Sequence, residues 1–363
     1  MIDNYPLLTE MLTTGRIRME DAPFLHAAPL PLPASFNFDR IEGMLLGLAI
    51  GDSLGNTSEG MLPAQRQREG DIRDYDQNPY ANWRRVGTPS DDTQLAFWTL
   101  EQLLEDDGLV PEHLAERFCR GRIFGIGSTV SEFLREFNDR GVPWSEAGQA
   151  SAGNGALMRI APLVVPHLGA PSPSLWADAA LAGMVTHNDY ASNACCVAFV
   201  HLLWRCLSLE RAPGPSWWLE NFVPVMEALE GETTYVPRVP SLRYQGPMAR
   251  FAAIHVGQAL DEGWSVLKAC NTWHSGAFLL ETIPSALYIL ARHADDAEEA
   301  IVRAVNDTRD NDTVAAIVGA AIGALHGARA LPQRWREGLL GRTQAADDGR
   351  VQELIAAARG TWA

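Results

Sequence analysis

The sequence is poor in cysteine, and its cysteines are not spaced for a metal or redox motif. The five are Cys119, Cys195, Cys196, Cys206 and Cys270. No two of them form a CxxC pair, and their number is odd, which argues against a disulfide framework and against a zinc site. A reducing compartment fits this usage.

The sequence also shows no signal-peptide pattern at its start and no apolar run of membrane length. The opening "MIDNYPLLTEMLTTGRIRMED" does not show the basic and then apolar pattern of a signal peptide. The longest apolar runs, "ACCVAFVHLLW" and "VAAIVGAAIGAL", are too short to cross a bilayer. We therefore expect a cytoplasmic protein that does not enter membranes.

Positive charge is scarce. The 363 residues include 29 Lys and Arg against 45 Asp and Glu, which gives a formal net charge of −16. Such a surface repels phosphate backbones, so nucleic acid is not an expected partner. An acidic enzyme with an anionic substrate would need local cations, supplied by arginines or by metal ions.

Alternating strand patterns are rare, and helical spacing dominates. The segment "DRIEGMLLGLAIGDSLG" has Gly43, Gly47 and Gly51 four residues apart. Glycine inside a helix costs roughly 1 kcal/mol relative to alanine, so three on one face predict close approach to a neighbouring helix. Further helices are predicted for "DDTQLAFWTLEQLLED", "VSEFLREFNDRG", "AEEAIVRAVND" and "TVAAIVGAAIGALHGAR", and two more around a polar break at 186–189.

Proline and glycine mark loops at 211–216 and 231–247, and the second is long enough to form a rim or lid. The predicted organisation is an irregular N-terminal extension (1–36), one compact all-α domain (37–345) and a C-terminal tail helix (346–363).

Two acidic clusters, "PSDDT" and "DNDT", lie where predicted helices begin. Helix capping explains acids at such positions. Adjacent carboxylates also repel each other, and a hard divalent cation with oxygen ligands would relieve that repulsion. Both clusters offer oxygen ligands only, which indicates a magnesium or calcium site, mononuclear or binuclear. The candidate ligands are Ser90, Asp91, Asp92, Asp310, Asp312 and Thr313.

Other polar stretches allow two interpretations each. Glu59 is a general acid or base, an outer-sphere metal contact, or a solvated loop residue. The backbone of "SAGNGALMR" cradles a phosphate or forms an ordinary turn, and Arg159 within it faces a phosphate or a structural carboxylate. "GIGSTV" is a second glycine-rich helix start, and His187 in "THND" is structural or part of a site.

Taken in order, the motifs resemble those of the ADP-ribosylglycohydrolase family, which includes the dinitrogenase reductase-activating glycohydrolase and the ADP-ribosylarginine and ADP-ribosylserine hydrolases. They are "GDSLG", "SDDT", "GIG", "GNGALMR", "TH" and "DNDT", and they span roughly residues 43 to 327. The resemblance implies an all-α orthogonal helical bundle with two Mg²⁺ in a cleft; Mn²⁺ and Ca²⁺ are the alternatives.

The resemblance also implies roles for individual residues. The six candidate ligands above would hold the metal ions, and Glu59 and Asp312 would be catalytic. Positions matching those that line the ADP-ribose pocket of relatives are Gly125, Gly127, Ser128, Ser151, Gly153, Asn154, Gly155 and His187.

The implied reaction is hydrolysis of the glycosidic bond between the distal ribose of ADP-ribose and an acceptor, with protein arginine favoured. The alternatives are a small conjugate, such as ADP-ribosyl-guanidine or O-acetyl-ADP-ribose, and a non-catalytic ADP-ribose-binding or structural relative. One departure stands out: Thr308 and Arg309 replace two glycines usual in relatives. We expect them to narrow the cleft or contact the substrate, and Glu281 is a further candidate polar contact.

Overall fold

A computed structural model describes residues 2–363. Over this range it has seventeen α-helices, short 3₁₀ segments and one two-stranded hairpin, so the all-α prediction is confirmed. In the hairpin, β1 (Gln77–Asn78) pairs antiparallel with β2 (Arg84–Arg85). The helices are α1 (Tyr5–Thr13), α2 (Asp39–Gly55), α3 (Pro63–Glu69), α4 (Asp91–Asp106), α5 (Pro111–Phe118), α6 (Ser128–Leu134), α7 (Trp144–Ala147), α8 (Ser174–Met184), α9 (Tyr190–Leu207), α10 (Pro215–Glu230), α11 (Met248–Asp261), α12 (Val266–Trp273), α13 (Leu279–His293), α14 (Ala297–Asp307), α15 (Asn311–His326), α16 (Gln333–Gly338) and α17 (Arg350–Trp362).

The core is organised around α2 and α15, which are buried along almost their whole lengths. They pack antiparallel through small residues. A Cβ atom added at Gly47 would lie 2.1 Å from the carbonyl oxygen of Gly319, and one added at Gly51 would lie 2.1 Å from that of Ala315. The close approach predicted from the glycine spacing is confirmed.

The N-terminal segment differs from the prediction of an irregular lead-in. It contains α1, whose Leu8 and Met11 are buried. The Asn4 amide donates to Asp178 of α8 at 2.7 Å and to the carbonyl of Leu109 at 2.8 Å. The helix was missed because "YPLLTEMLT" is short and its apolar face is recognisable only against the surface that it covers. The domain boundaries themselves remain a prediction.

The other helix predictions hold with local changes. The predicted helix in "VSEFLREFNDRG" is α6, which continues as a π-helix over Arg135–Asp139. The predicted break between α8 and α9 is present, and 231–247 is a loop between α10 and α11. All five cysteines are free. No helix within residues 2–363 is long and apolar enough to cross a membrane.

Candidate active site

One cleft of about 510 Å³ collects the residues singled out from the sequence. The starts of α4 and α15, glycine-rich segments and part of the 231–247 loop line it. All predicted metal-binding, catalytic and pocket-lining residues border this cleft, although their roles there remain predictions: Glu59, Ser90, Asp91, Asp92, Gly125, Gly127, Ser128, Ser151, Gly153, Asn154, Gly155, His187, Asp310, Asp312 and Thr313.

Antiparallel packing of α2 and α15 explains why distant acidic residues meet. The C-terminal end of α2 reaches the N-terminal end of α15, and a Cβ atom at Gly55 would lie 2.5 Å from the Cα of Asp312. Carboxylate oxygens of Asp52, Asp92 and Asp312 lie within 4.8 Å of one another, as do those of Glu59, Asp310 and Asp312. Asp312 therefore belongs to both triplets.

Asp52 holds the start of α4. It accepts hydrogen bonds from the backbone N–H of Ser90 at 2.9 Å and of Thr93 at 3.1 Å, and from both of their hydroxyl groups at 2.6 and 2.5 Å. Ser90 occupies the N-cap position but its side chain makes no capping bond. A carboxylate from another helix thus takes the place of a side-chain cap at Ser90. Because these bonds occupy both Asp52 oxygens, Asp92 and Asp312 are better placed than Asp52 to bind a cation.

Capping does not explain the acids that begin α15. Asp310 is at the N-cap position without a side-chain capping bond, and its Oδ2 accepts from the Asn154 amide at 2.6 Å. Within residues 2–363, one backbone N–H of α15 donates to the carboxylate of either of these acids, and that bond is local: the Thr313 N–H donates to Asp312 Oδ1 at 2.9 Å. The second acidic cluster is therefore directed mainly at the cleft.

The carboxylates of the cleft are costly to ionise together. Burial, followed by the charge of Asp52, raises the pKa of Asp91 to about 8. Burial raises the pKa of Asp310 to about 6 against the hydrogen bond from Asn154. Burial and neighbouring carboxylates also raise the pKa values of Asp92 and Asp312 well above the ordinary range. A cation among these groups would stabilise their charged forms.

The donor set fits a hard divalent cation. Asp92 Oδ1 is buried and has no hydrogen-bond partner within residues 2–363, and a buried carboxylate oxygen normally has one. Oxygen ligands and several carboxylates in close reach are the chemistry that Mg²⁺ and Ca²⁺ prefer.

The GNG segment, residues 153–155, offers few free amides to a phosphate. The Asn154 N–H donates to the carbonyl of Ala277 at 3.0 Å, and the Gly153 N–H donates to Ser151 Oγ at 3.3 Å. Among the described residues, only the Gly155 N–H of this segment has no acceptor. A phosphate at this loop would therefore need donors from elsewhere as well.

His187 lies against this segment as a neutral group. Burial, with a smaller effect of the Arg159 charge, lowers the pKa of His187 to about 3. The Thr186 hydroxyl accepts from Arg159 at 2.9 Å and lies 2.8 Å from His187 Nδ1. No other partner for the Thr186 proton is present within residues 2–363, so this hydroxyl donates to Nδ1 and the imidazole proton is on Nε2. That nitrogen faces Gly155, where an added Cβ atom would lie 3.1 Å from it.

Two expectations about single residues are wrong. Arg159 faces neither a phosphate nor a carboxylate: it is buried, and beyond Thr186 it contacts the carbonyl of Ala182 and the ring of Phe118. Thr308 and Arg309 do not line the cleft. Thr308 is buried with its hydroxyl bonded to the carbonyl of Ala304.

Sequence reasoning missed residues that complete the site. Arg66 is buried and donates to the carbonyls of Val305 at 3.0 Å and Thr308 at 2.6 Å, which fixes the chain just before Asp310. Arg238 and Phe278 border the cleft. Glu281, the further candidate polar contact, is buried and paired with Arg238. No motif marks Arg66 or Arg238, because their partners are distant in the chain.

The fold and the site together define an all-helical protein with an acidic cleft suited to a metal ion. The sequence model of the ADP-ribosylglycohydrolase family matches residues 33–362. The chain belongs to this family.

Individual relatives agree with that assignment. An uncharacterized protein of Archaeoglobus fulgidus is 31% identical, covering 84% of this chain and 92% of its own length. ADP-ribosylarginine hydrolase Tri1 of Pseudomonas putida is 29% identical, covering 82% and 74%. ADP-ribosyl-[dinitrogen reductase] glycohydrolase of Rhodospirillum rubrum is 24% identical, covering 88% and 97%. A solved structure described as an ADP-ribosylglycohydrolase-related protein complex aligns with a TM-score of 0.64 and 27% identity, covering 90% of this chain and 97% of the other.

Proposed function

We propose that this protein is a divalent-cation-dependent hydrolase that releases ADP-ribose from ADP-ribosylated arginine in a protein. The observation that carries the proposal is Asp312, whose carboxylate is shared by two triplets of acidic side chains at one end of the cleft. Relatives named as ADP-ribosylarginine hydrolases favour arginine as the acceptor.

The metal would be Mg²⁺, with Mn²⁺ or Ca²⁺ as alternatives, in one or two sites. Asp92 and Asp312 would contribute to one, and Asp310 and Asp312 to the other, with Ser90, Asp91 and Thr313 in reach and Glu59 beside them. Bound there, such a cation supplies Lewis acidity that orients ribose hydroxyls and makes a water molecule a better nucleophile.

Side chains of the protein would transfer the proton, stabilise the developing charge and bind the nucleotide. Hydrolysis forms a bond between water and the anomeric carbon and breaks the bond to the guanidine nitrogen, which leaves with a proton. Glu59 is exposed at the cleft and would accept the proton of the attacking water. Positive charge develops on the ribose ring during cleavage, and the surrounding carboxylates stabilise it. His187 would donate from Nε2 to the bound nucleotide.

The test is release of ADP-ribose from an ADP-ribosylated arginine protein, with Mg²⁺ and with EDTA. We expect release in Mg²⁺ and none in EDTA. Asp312→Asn should reduce the rate by about 100-fold or more, the scale of losing a preorganised charged group. Asp295→Asn is the matched control, because Asp295 is an exposed aspartate outside the cleft. Absence of release by the wild-type protein in Mg²⁺ would refute arginine as the acceptor.

A small conjugate is the second candidate substrate. Val236, which is exposed, and Arg238, which is half-exposed, belong to the 231–247 loop and border the cleft. Their side chains would narrow the entrance through which a large substrate must pass. Rates on ADP-ribosyl-guanidine and O-acetyl-ADP-ribose should be compared with the rate on the modified protein. Faster turnover of the protein conjugate supports the proposal, and turnover of small conjugates alone supports the second candidate.

A further inference from the structure

The 231–247 loop is anchored firmly enough to place a side chain in the cleft. At its base, Glu230 accepts from the N–H groups of Met248 at 2.7 Å and Ala249 at 2.9 Å. Further along, Tyr235 donates its hydroxyl proton to Asp189 at 2.6 Å, and its backbone exchanges two hydrogen bonds with Gly246. The residues that follow Tyr235 therefore have a fixed starting point at the cleft.

Arg238 is oriented by a buried carboxylate. Its Nε donates to Glu281 Oε1 at 2.8 Å, and one terminal nitrogen, Nη2, donates to Oε2 at 2.5 Å. The Glu281 side chain is 1% exposed, while that of Arg238 is 55% exposed. The remaining terminal nitrogen, Nη1, has no hydrogen-bond acceptor among the described residues. A bidentate pair of this kind fixes the plane of the guanidinium group and leaves one edge free for a ligand.

Arg238 is next to the GNG segment. Its guanidinium carbon lies 5.5 Å from the centre of the Phe278 ring. Phe278 in turn forms an isolated antiparallel bridge with Gly153, and its neighbour Leu279 donates to the carbonyl of Ala152 at 3.0 Å. Phe278 therefore contacts both the Arg238 guanidinium group and the GNG segment, which is the predicted phosphate-binding segment.

The side chains that border the cleft are mostly acidic, and Arg238 is the exception. Five carboxylates border the cleft, and Arg238 is the only Lys or Arg that does so in the part of the chain that the structure describes. A pyrophosphate entering such a field is repelled unless cations compensate it. Two of the three amides of the GNG segment are already used within the protein.

We propose that Arg238, held by Glu281, binds the pyrophosphate of ADP-ribose and sets the preference of the cleft for phosphorylated ligands. This inference rests on the proposed function, since it takes ADP-ribose as the ligand. Arg238 is a binding and specificity residue in this account, and Glu281 positions it.

The experiment is calorimetric titration of ADP-ribose, in Mg²⁺, into wild-type protein and Arg238 variants. Arg238→Gln should raise Kd by about 10- to 100-fold, the range for losing a hydrogen bond to a charged group. Arg238→Lys should fall between these, because it keeps the charge but not the fork of donors. Arg243→Gln is the matched control, an exposed arginine of the same loop that does not border the cleft, and it should bind like wild type.

A double variant separates ligand binding from loop structure. Arg238→Gln leaves the buried Glu281 without its cation, whereas adding Glu281→Gln removes that uncompensated charge. We expect the double variant to regain melting temperature while its ADP-ribose affinity stays at least tenfold below wild type. Recovery of wild-type affinity would show that Arg238 only holds the loop, and would overturn the inference.

Different results would overturn the hydrolase proposal and the proposed role of Arg238. Unchanged ADP-ribose affinity in Arg238→Gln, with binding and hydrolysis intact in wild type, overturns the role of Arg238 and leaves the hydrolase proposal standing. Hydrolysis of the modified protein without measurable ADP-ribose binding also overturns the role of Arg238 alone. If wild-type protein neither binds ADP-ribose nor releases it from the modified protein in Mg²⁺, both are overturned.

Discussion

Replacing Gly47 by alanine should destabilise the protein through the contact between α2 and α15. The added Cβ atom would lie 2.1 Å from the Gly319 carbonyl oxygen, whereas carbon–oxygen contacts are normally about 3.3 Å or longer. Both sides of the contact are helix backbone, so the two helices must move apart by roughly 1 Å. Overpacking costs about 1–3 kcal/mol, and the rigid surroundings place this change near 3 kcal/mol.

The assay is thermal unfolding with a matched control. In a chain of this length each kcal/mol shifts Tm by roughly 1.3 °C, so Gly47→Ala should lower Tm by about 4 °C. Gly257→Ala is the control: this residue is in α11, and an added Cβ atom meets no atom within 4 Å. Helix propensity should then raise Tm by about 1 °C. An unchanged Tm in Gly47→Ala would refute the close packing described for α2 and α15.

Three further predictions concern the cleft. In EDTA, the Tm of wild type minus the Tm of Asp91→Asn should fall as pH rises from 5 to 8. The reason is that the folded-state pKa of Asp91 is raised to about 8, so its stabilising contribution is complete only below the unfolded-state pKa and is lost as the pH approaches 8. An increase of this Tm difference with pH would contradict the argument. The ¹⁵N spectrum of His187 should show the Nε2–H tautomer, and Thr186→Val should disturb it; an Nδ1–H tautomer in wild type would contradict the hydrogen-bond assignment. Asp52→Asn should cost about 1–3 kcal/mol by denaturant unfolding, since an amide cannot accept all four hydrogen bonds at the start of α4; unchanged stability would refute that capping role.

The helices were predictable because each reflects a local pattern. Apolar spacing identified α4 and α14 to the residue, and glycine spacing identified both α2 and the nature of its contact. Six short motifs also indicated which segments meet at the cleft, although most of them are far apart in the chain. Local chemistry alone, namely paired carboxylates without cations, was enough to suggest a metal site.

What sequence could not provide depends on contacts across the chain. Asp52 caps a helix 38 residues away, so its role is invisible until α2 and α4 are placed. Arg159 looked suited to bind a phosphate, yet it is buried against α8 and fixes Thr186. Arg238 belongs to a loop without periodicity, and only its pairing with Glu281 reveals where its guanidinium group is held.

The most direct test of the central claim is anomalous diffraction from crystals grown with Mn²⁺. The account predicts anomalous peaks in the cleft, bonded to Asp312 and to carboxylates of both acidic triplets, and their loss in Asp312→Asn crystals. Peaks confined to acidic residues on the surface, with none beside Asp312 in the wild-type protein, would contradict it.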